Sequence, residues 1–200
     1  MRLDLQELLF GDVTRLRYVQ RYATSFNFHK ENVAEHSFYV AFYAMLIGEW
    51  YNENVDYAPI TTREAVMKAL VHDVDEAITG DMPRGFKYGH PEVKRTLNEA
   101  AEQEVKDVFE RLGIARYSEL WTYDKQGISG AIVSIADYMA VISHMLIEIR
   151  NNNHTMTRHI SSIREYMYSF REDRYEVFRP LLADLEELIL GVIGEESDVH

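Results

Sequence analysis

An all-α fold is what this 200-residue sequence predicts, and three observations predict it. Apolar residues recur at steps of three and four over long stretches, above all Ile128, Ile132, Ile135, Met139, Ile142, Leu146 and Ile149, which is the period of one helix face. Only four prolines and ten glycines interrupt the chain, so helix breakers are scarce. No run alternates apolar and polar residues between turn signals as a half-buried strand does.

A helical pattern opens the chain over residues 2–22. A second helix runs from Ala34 or Glu35 to about Asn52 and contains the longest apolar run, 38–47. Those ten residues suit a helix buried in the protein or at a subunit contact, and fall short of the roughly 18 that cross a membrane. The stretch from Tyr51 to Thr62, with its Asn, Asp and Pro, is a connection. Thr61 and Glu64 read as a capping box, hydroxyl and carboxylate each satisfying a free amide at a helix start. That third helix runs to about Thr79 with Val66, Ala69, Leu70, Asp73 and Ala77 inward, and the turn residues 80–85 stop it. Pro91 opens a charged helix, because its missing amide would be unpaired there anyway, and this helix ends near Leu112-Gly113. Gln126 to Arg150 form a long helix, apolar on most faces and therefore central. Residues 157–190 carry a last helical pattern with a break near Pro180, followed by a frayed acidic tail, 191–200. Without linker or repeat, residues 1–200 read as a single domain, its core over about 15–150.

Composition excludes several classes. Lys and Arg number 21 against 33 Asp and Glu, a net charge of −12, which repels nucleic acid and anionic membrane surfaces. The start MRLDLQELLF carries acidic residues where a secretory signal is basic, so the expected location is the cytoplasm. With no cysteine there is no disulfide scaffold, no thiol nucleophile and no zinc site built on sulfur. Any metal must be held by His, Asp and Glu. The apolar second helix and an aromatic content of 12% predict a homo-oligomer, a dimer in the first instance.

Three places put an ionisable side chain where burial is costly. His72, Asp73 and Glu76 fall within one helical turn of each other and can converge on one spot. His36 stands at the entrance of the apolar second helix. Asp137 interrupts an otherwise apolar helix and needs a partner, since an unpaired buried carboxylate costs several kcal/mol. A divalent cation is one such partner, and two imidazoles with two carboxylates suit Mn, Co, Fe, Ni or Zn, or Mg with extra waters. Each residue also has a plainer reading: His36 as a capping or packing residue, His72-Asp73 as a solvated ion pair, Asp137 as the partner of a buried Arg, Arg21 as a surface arginine. His90, in a loop near this region, is a further potential ligand, whereas His144, seven residues beyond Asp137, lies about 10 Å along the helix and is too far to share its ion.

Taken together, Arg21-Tyr22, Glu31-Asn32-Val33-Ala34-Glu35-His36-Ser37, His72-Asp73-Val74-Asp75-Glu76, Thr79-Gly80-Asp81-Met82-Pro83, Lys87-Tyr88 and Ala136-Asp137 resemble the HD-domain metal-dependent phosphohydrolases, and among them the 5′-deoxynucleotidase group. The resemblance spans residues 21–138 and implies an HD-domain helical bundle. It implies one divalent metal ion per subunit on His36, His72, Asp73 and Asp137, with Glu76 handling a proton and Arg21 holding the phosphate. Tyr22 stands where relatives commonly place Trp against the sugar. Tyr22, Thr79, Asp81, Arg84 and Lys87 are expected around a small deoxynucleotide substrate. The implied reaction converts a deoxynucleoside monophosphate to deoxynucleoside and phosphate. The alternatives are a deoxynucleoside triphosphate hydrolase, which Arg84 beside Lys87 would serve, and a catalytically silent nucleotide-binding module.

Overall fold

The structure is a computed structural model of the chain and describes residues 4–56, 59–159, 167 and 169–197. Among the described residues every extended element is helical, and the one pairing of β type is an isolated antiparallel bridge between Gln20 and Asn32. The core is built by three helices, α2 (Val33–Asn54), α3 (Thr62–Val71) and α8 (Gly127–Arg150), packed on one another. Val40, Ala44 and Ile47 of α2, Ala65 and Ala69 of α3, and Ile132, Ile135 and Tyr138 of α8 form its centre. The small residues on α2 and α3 let the backbones approach, and the long side chains of α8 fill the space between. By length and composition α8 is apolar enough to cross a membrane, but its most apolar window is 67% buried inside the protein, as befits a core helix.

The N-terminal segment departs from the single helix expected over 2–22. Helix α1 covers only Leu5–Phe10, capped by Asp4, whose carboxylate accepts from the amides of Gln6 and Glu7. Gly11 then adopts an extended conformation and the chain resumes as a 3₁₀ turn over Asp12–Arg17. No part of α1 is buried, so packing does not hold a longer helix together. The following loop closes on itself: Arg21 N–H donates to the Glu31 carbonyl at 2.9 Å and Val33 N–H to the Val19 carbonyl at 3.0 Å. This closure sets Arg21 beside the first turn of α2.

Helix α2 starts at Val33, one or two residues earlier than expected, because Asn32 and Glu35 form a reciprocal capping box. The capping box expected at α3 is not formed. Thr61 makes no side-chain cap, and the Glu64 carboxylate instead accepts from Ser129 Oγ at 2.8 Å and pairs with Lys68 at 3.1 Å. The inward face of α3 is Ala65, Lys68 and Ala69, and Leu70 is 52% exposed, contrary to its expected place in the stripe. Lys68 is tolerated inside because its ammonium donates to Ser129 Oγ and the Gln126 carbonyl.

The remaining elements are short helices α4 (Glu76–Thr79) and α5 (Arg84–Gly89), then α6 (Pro91–Arg111) with Pro91 in its first turn as expected, and α7 (Ser118–Thr122). Part of the last helical pattern, 160–166 and 168, lies outside the described residues. What is described there is a 3₁₀ turn over His154–His159, another over Asp173–Phe178, and α9 (Arg179–Ser197), so a break does fall just before Pro180. The tail expected to fray from 191 continues α9 to Ser197, since Leu182, Ile189 and Val192 keep a buried stripe at helical spacing; residues 198–200 lie outside the described residues.

One polar anchor ties the 20–32 loop to the core helix. Glu148 on α8 is fully buried and its carboxylate accepts from the amides of Phe28 at 2.8 Å and His29 at 2.7 Å and from Asn153 Nδ2 at 2.6 Å. Replacing Glu148 by Gln removes the charge and one acceptor oxygen, leaving a buried amide donor without its partner. We expect a loss of about 1–3 kcal/mol, read as a lower urea midpoint at unchanged slope.

Candidate active site

The site forms where α2, the α3–α4 turn, α8 and the 20–32 loop meet. His36 lies in the first turn of α2, fully buried. His72 and Asp73 lie in a tight turn that ends α3, not inside a helix running to Thr79 as expected. The reason is local: His72 Nδ1 lies 2.7 Å from the Ala69 carbonyl, the acceptor that the amide of residue 73 would use in a continuing α-helix. The backbone tightens to i→i−3 bonds, Val74 to Val71 and Glu76 to Asp73. Asp75, also buried, accepts from Trp121 Nε1 at 2.9 Å and steadies the turn from the α7 side.

This geometry brings the expected donors together. Ligand atoms of His36, His72 and Asp73 all lie within 4.8 Å of one another, close enough to hold a metal ion. Asp137, in the middle of α8, joins through Oδ1, 3.1 Å from His36 Nε2. Asp73 Oδ2 lies 3.1 Å from His72 Nε2 and 3.8 Å from His36 Nε2. Because His72 Nδ1 is committed to the Ala69 carbonyl, its Nε2 is the nitrogen presented to the carboxylates, the tautomer that metal-binding imidazoles adopt. Among the described residues, buried His72 Nε2 and Glu76 Oε2 make no hydrogen bond, the condition of a polar cluster shaped for a group that supplies positive charge.

Arg21 stands at the edge of this cluster, Nη1 3.3 Å from Asp73 Oδ2 and Nε 3.3 Å from Glu31 Oε2. Burial opposes its charge, but Tyr22, Asp73 and Asp137 outweigh that effect and keep it cationic. Burial drives His36 down to about 4, assisted by Arg21, so the ring is a neutral donor at physiological pH. Burial also pushes His72 down, but the adjacent Asp73 carboxylate wins and the imidazole rises above its ordinary value. Against burial, His72 and Arg21 hold Asp73 well below the carboxylate range, and Lys125 and His36 do the same for Asp137. Glu76 behaves oppositely. Burial and the neighbouring Asp73 and Asp81 carboxylates raise it to about 10, so it carries a proton at neutral pH. One pocket thus holds two ionised carboxylates and a protonated one.

Around this centre the expected residues divide. Asp81 follows Gly80, whose φ of 73° ends α4, and Asp81 Oδ2 accepts from the Tyr22 amide at 3.3 Å. The Tyr22 ring stacks on His144 at 4.8 Å with 6° between planes. Thr79 is not brought in: it is exposed, and its hydroxyl donates to the Asp75 carbonyl of its own turn. Lys87 is partly exposed and near enough to act electrostatically on Asp81 and Asp75. The side chain of Arg84 lies outside the described residues. His90 is not part of the donor cluster and lies half exposed beside Phe86 and Glu92. Four participants had no role from sequence. Glu31 is raised to about 7 by burial despite Arg21. Lys125 Nζ lies 3.6 Å from Asp137 Oδ2. His144 and Glu148 share the Asp137 face of α8, seven and eleven residues on, and that polar stripe on an apolar helix was the available signal.

The fold is that of HD-domain phosphohydrolases. The chain superposes on the crystal structure of an HD-domain phosphohydrolase from Listeria innocua with a TM-score of 0.75 at 24% identity, covering 92% of this chain and 89% of that one. It matches the PH0347 protein of Pyrococcus horikoshii at 0.71 and 21% identity, covering 92% and 99%. Within this class, residues 8–184 match the model of the YfbR-like 5′-deoxynucleotidases, and the chain belongs to that family. It is 30% identical to 5′-deoxynucleotidase PM0747 of Pasteurella multocida over 86% of this chain and 91% of that protein, and 25% identical to a 5′-deoxynucleotidase of Vibrio atlanticus over 94% and 99%.

The state of Glu76 makes a prediction about stability. Its folded pKa of about 10 lies above the ordinary value of 4.5, so the folded protein binds the extra proton and its stability falls as pH rises through that interval. A Gln at this position has no proton to lose. In chelator-treated protein, Glu76→Gln is expected to melt above wild type at pH 8, with the gap closing as the pH approaches 4.5, by scanning calorimetry.

Proposed function

We propose that this protein is a metal-dependent 5′-deoxynucleotidase that hydrolyses deoxynucleoside monophosphates to deoxynucleoside and phosphate. The observation that carries this reading is the donor cluster His36, His72 and Asp73, extended by Asp137, with the Arg21 guanidinium 3.3 Å from one of its carboxylates. These four residues would hold one divalent ion; Mn, Co, Fe, Ni, Zn and Mg all remain candidates on ligand chemistry. A bound divalent ion supplies Lewis acidity toward water and a phosphoryl oxygen.

The chain's own residues do the rest. Arg21 offers a planar fork of donors to phosphate oxygens, and Glu31, on its Nε, fixes the plane of that fork. Glu76 sits one turn beyond Asp73 with a buried Oε2 that makes no hydrogen bond, placed to hold and pass the proton exchanged between water and the leaving oxygen. Tyr22 and Asp81, joined by a backbone hydrogen bond, form one wall for the sugar. Asp73 and Asp137, mostly enclosed, orient the imidazoles and hold the ion's charge. The site of action is the cytoplasm, where free deoxynucleotides occur.

The test is a screen of deoxy- and ribonucleoside mono- and triphosphates with Mn, Co, Mg and Zn, identifying the phosphorus-containing product. Inorganic phosphate from deoxynucleoside monophosphates is expected. Triphosphate or pyrophosphate as the product overturns the monophosphate reading, and nucleotide binding without any release overturns the enzymatic one. Arg21→Ala is expected to lower kcat/KM by about 100- to 1,000-fold, as loss of a preorganised donor to an anionic transition state does.

We propose further that two copies associate through α2. Its outer face exposes Phe38, Tyr39, Phe42, Met45 and Leu46, an aromatic patch at helical spacing. Light scattering should report about twice the 23.4 kDa of one chain, and Phe42→Glu should return the monomer mass.

A further inference from the structure

Lys125 stands at the second carboxylate of the donor cluster much as Arg21 stands at the first. Its ammonium lies 3.6 Å from Asp137 Oδ2 and 3.7 Å from Asp124 Oδ2, while Arg21 reaches Asp73 Oδ2. His36 Nε2 lies between, 3.1 Å from Asp137 and 3.8 Å from Asp73, so the two cations bracket the cluster.

The position of Lys125 is built into the fold. Its backbone lies flush on the first turn of α8 at Gly130, where any Cβ would come within 2.1 Å of the Lys125 carbonyl carbon. Its carbonyl accepts from Arg174 Nη1 at 3.2 Å, so a second segment holds the loop from the other side. Although 39% of the side chain is exposed, the ammonium nitrogen itself is out of solvent contact, turned inward against Asp137.

A phosphate ester brings close to two negative charges at neutral pH. Arg21 and Lys125 flank the donor cluster from opposite sides, so a dianion seated on it meets a cation at either edge. We propose that Lys125 is a second phosphate-binding residue, which leaves Asp137 to take a phosphoryl oxygen on the side opposite Arg21. A lysine suits this exchange, being a compact charge on a flexible stem that moves by rotamer change. The proposal rests on the phosphohydrolase reading of the site.

The test measures binding of inorganic phosphate to Co- or Mn-loaded protein by calorimetry, alongside the affinity for the metal alone. Lys125→Met is expected to weaken phosphate binding by about 10- to 100-fold, the loss of one charge-assisted hydrogen bond, without weakening metal binding. Lys125→Arg should restore most of the affinity. Equal phosphate binding by wild type and Lys125→Met overturns the role of Lys125 while leaving the function intact. Weakened metal binding in Lys125→Met also overturns it, by showing that the lysine serves only to place Asp137. If wild type binds no phosphate, the reading of the site falls and Lys125 with it.

Discussion

Everything in this structure is organised around carboxyl groups that the fold holds closer together than water would allow. Asp73, Asp137 and Glu76 converge in a pocket where Coulomb repulsion is weakly screened, so they cannot all ionise without added positive charge. The protein answers in part. Arg21 and Lys125 each lean on one aspartate, and Glu76 keeps its proton. Of the two imidazoles, His36 adds a donor atom without charge because burial keeps it neutral, whereas Asp73 raises His72 above its ordinary value. What a divalent ion would add is coordination to donor atoms that converge here, and a buried Glu76 Oε2 without a hydrogen bond shows that the side chains alone leave part of that demand unmet.

Assembling that pocket costs the helices their regularity. Helix α3 ends at Val71 because His72 takes the carbonyl that would have continued it, and this surrender of one backbone bond turns Asp73 and Glu76 toward α2 and α8. The N-terminal segment breaks its helix at Gly11 and leaves helix after Arg17, and the loop that follows brings Arg21 alongside the first turn of α2. Helices α2 and α8 stay regular through the site, α2 carrying His36 and α8 carrying Asp137 between apolar faces gripped on most sides. Rigid core and bent periphery therefore divide the labour: α8 fixes one donor absolutely, and the turn and loop are adjusted to it.

The same division explains what the sequence made legible. Helices whose burial follows a period, α8 and α6 with its Pro91 start, were readable because side-chain spacing alone determines them. His36, His72, Asp73 and Asp137 stood out as ionisable groups among apolar neighbours, and the structure brings them together. The break after Val71 was not readable, because a side-chain ring replacing a backbone donor leaves no mark in hydrophobic periodicity. Glu64 illustrates the same limit: its spacing from Thr61 fits a cap, yet Ser129, distant in sequence, competes for it and wins. Lys125 was invisible for a third reason, since its placement depends on the turn before α8 closing onto Gly130, a backbone approach that hydrophobic spacing does not record.

Tyr22 shows how local strain can be put to use. Its φ of 54° lies in the left-handed region, which costs a residue with a Cβ about 1–2 kcal/mol. Two contacts offset that cost: Asp81 accepts the Tyr22 amide, and the ring lies flat on His144, itself within 3.4 Å of Asn27 in the same loop. The left-handed turn sends the Tyr22 ring and the Arg21 side chain into the same space, with the guanidinium carbon 5.5 Å from the ring centroid. An unstrained backbone at this position would direct successive side chains apart. On the proposed reading, the strain thus couples the residue that holds the phosphate to the one that meets the sugar, so two adjoining parts of one nucleotide are recognised by adjacent residues of a single loop.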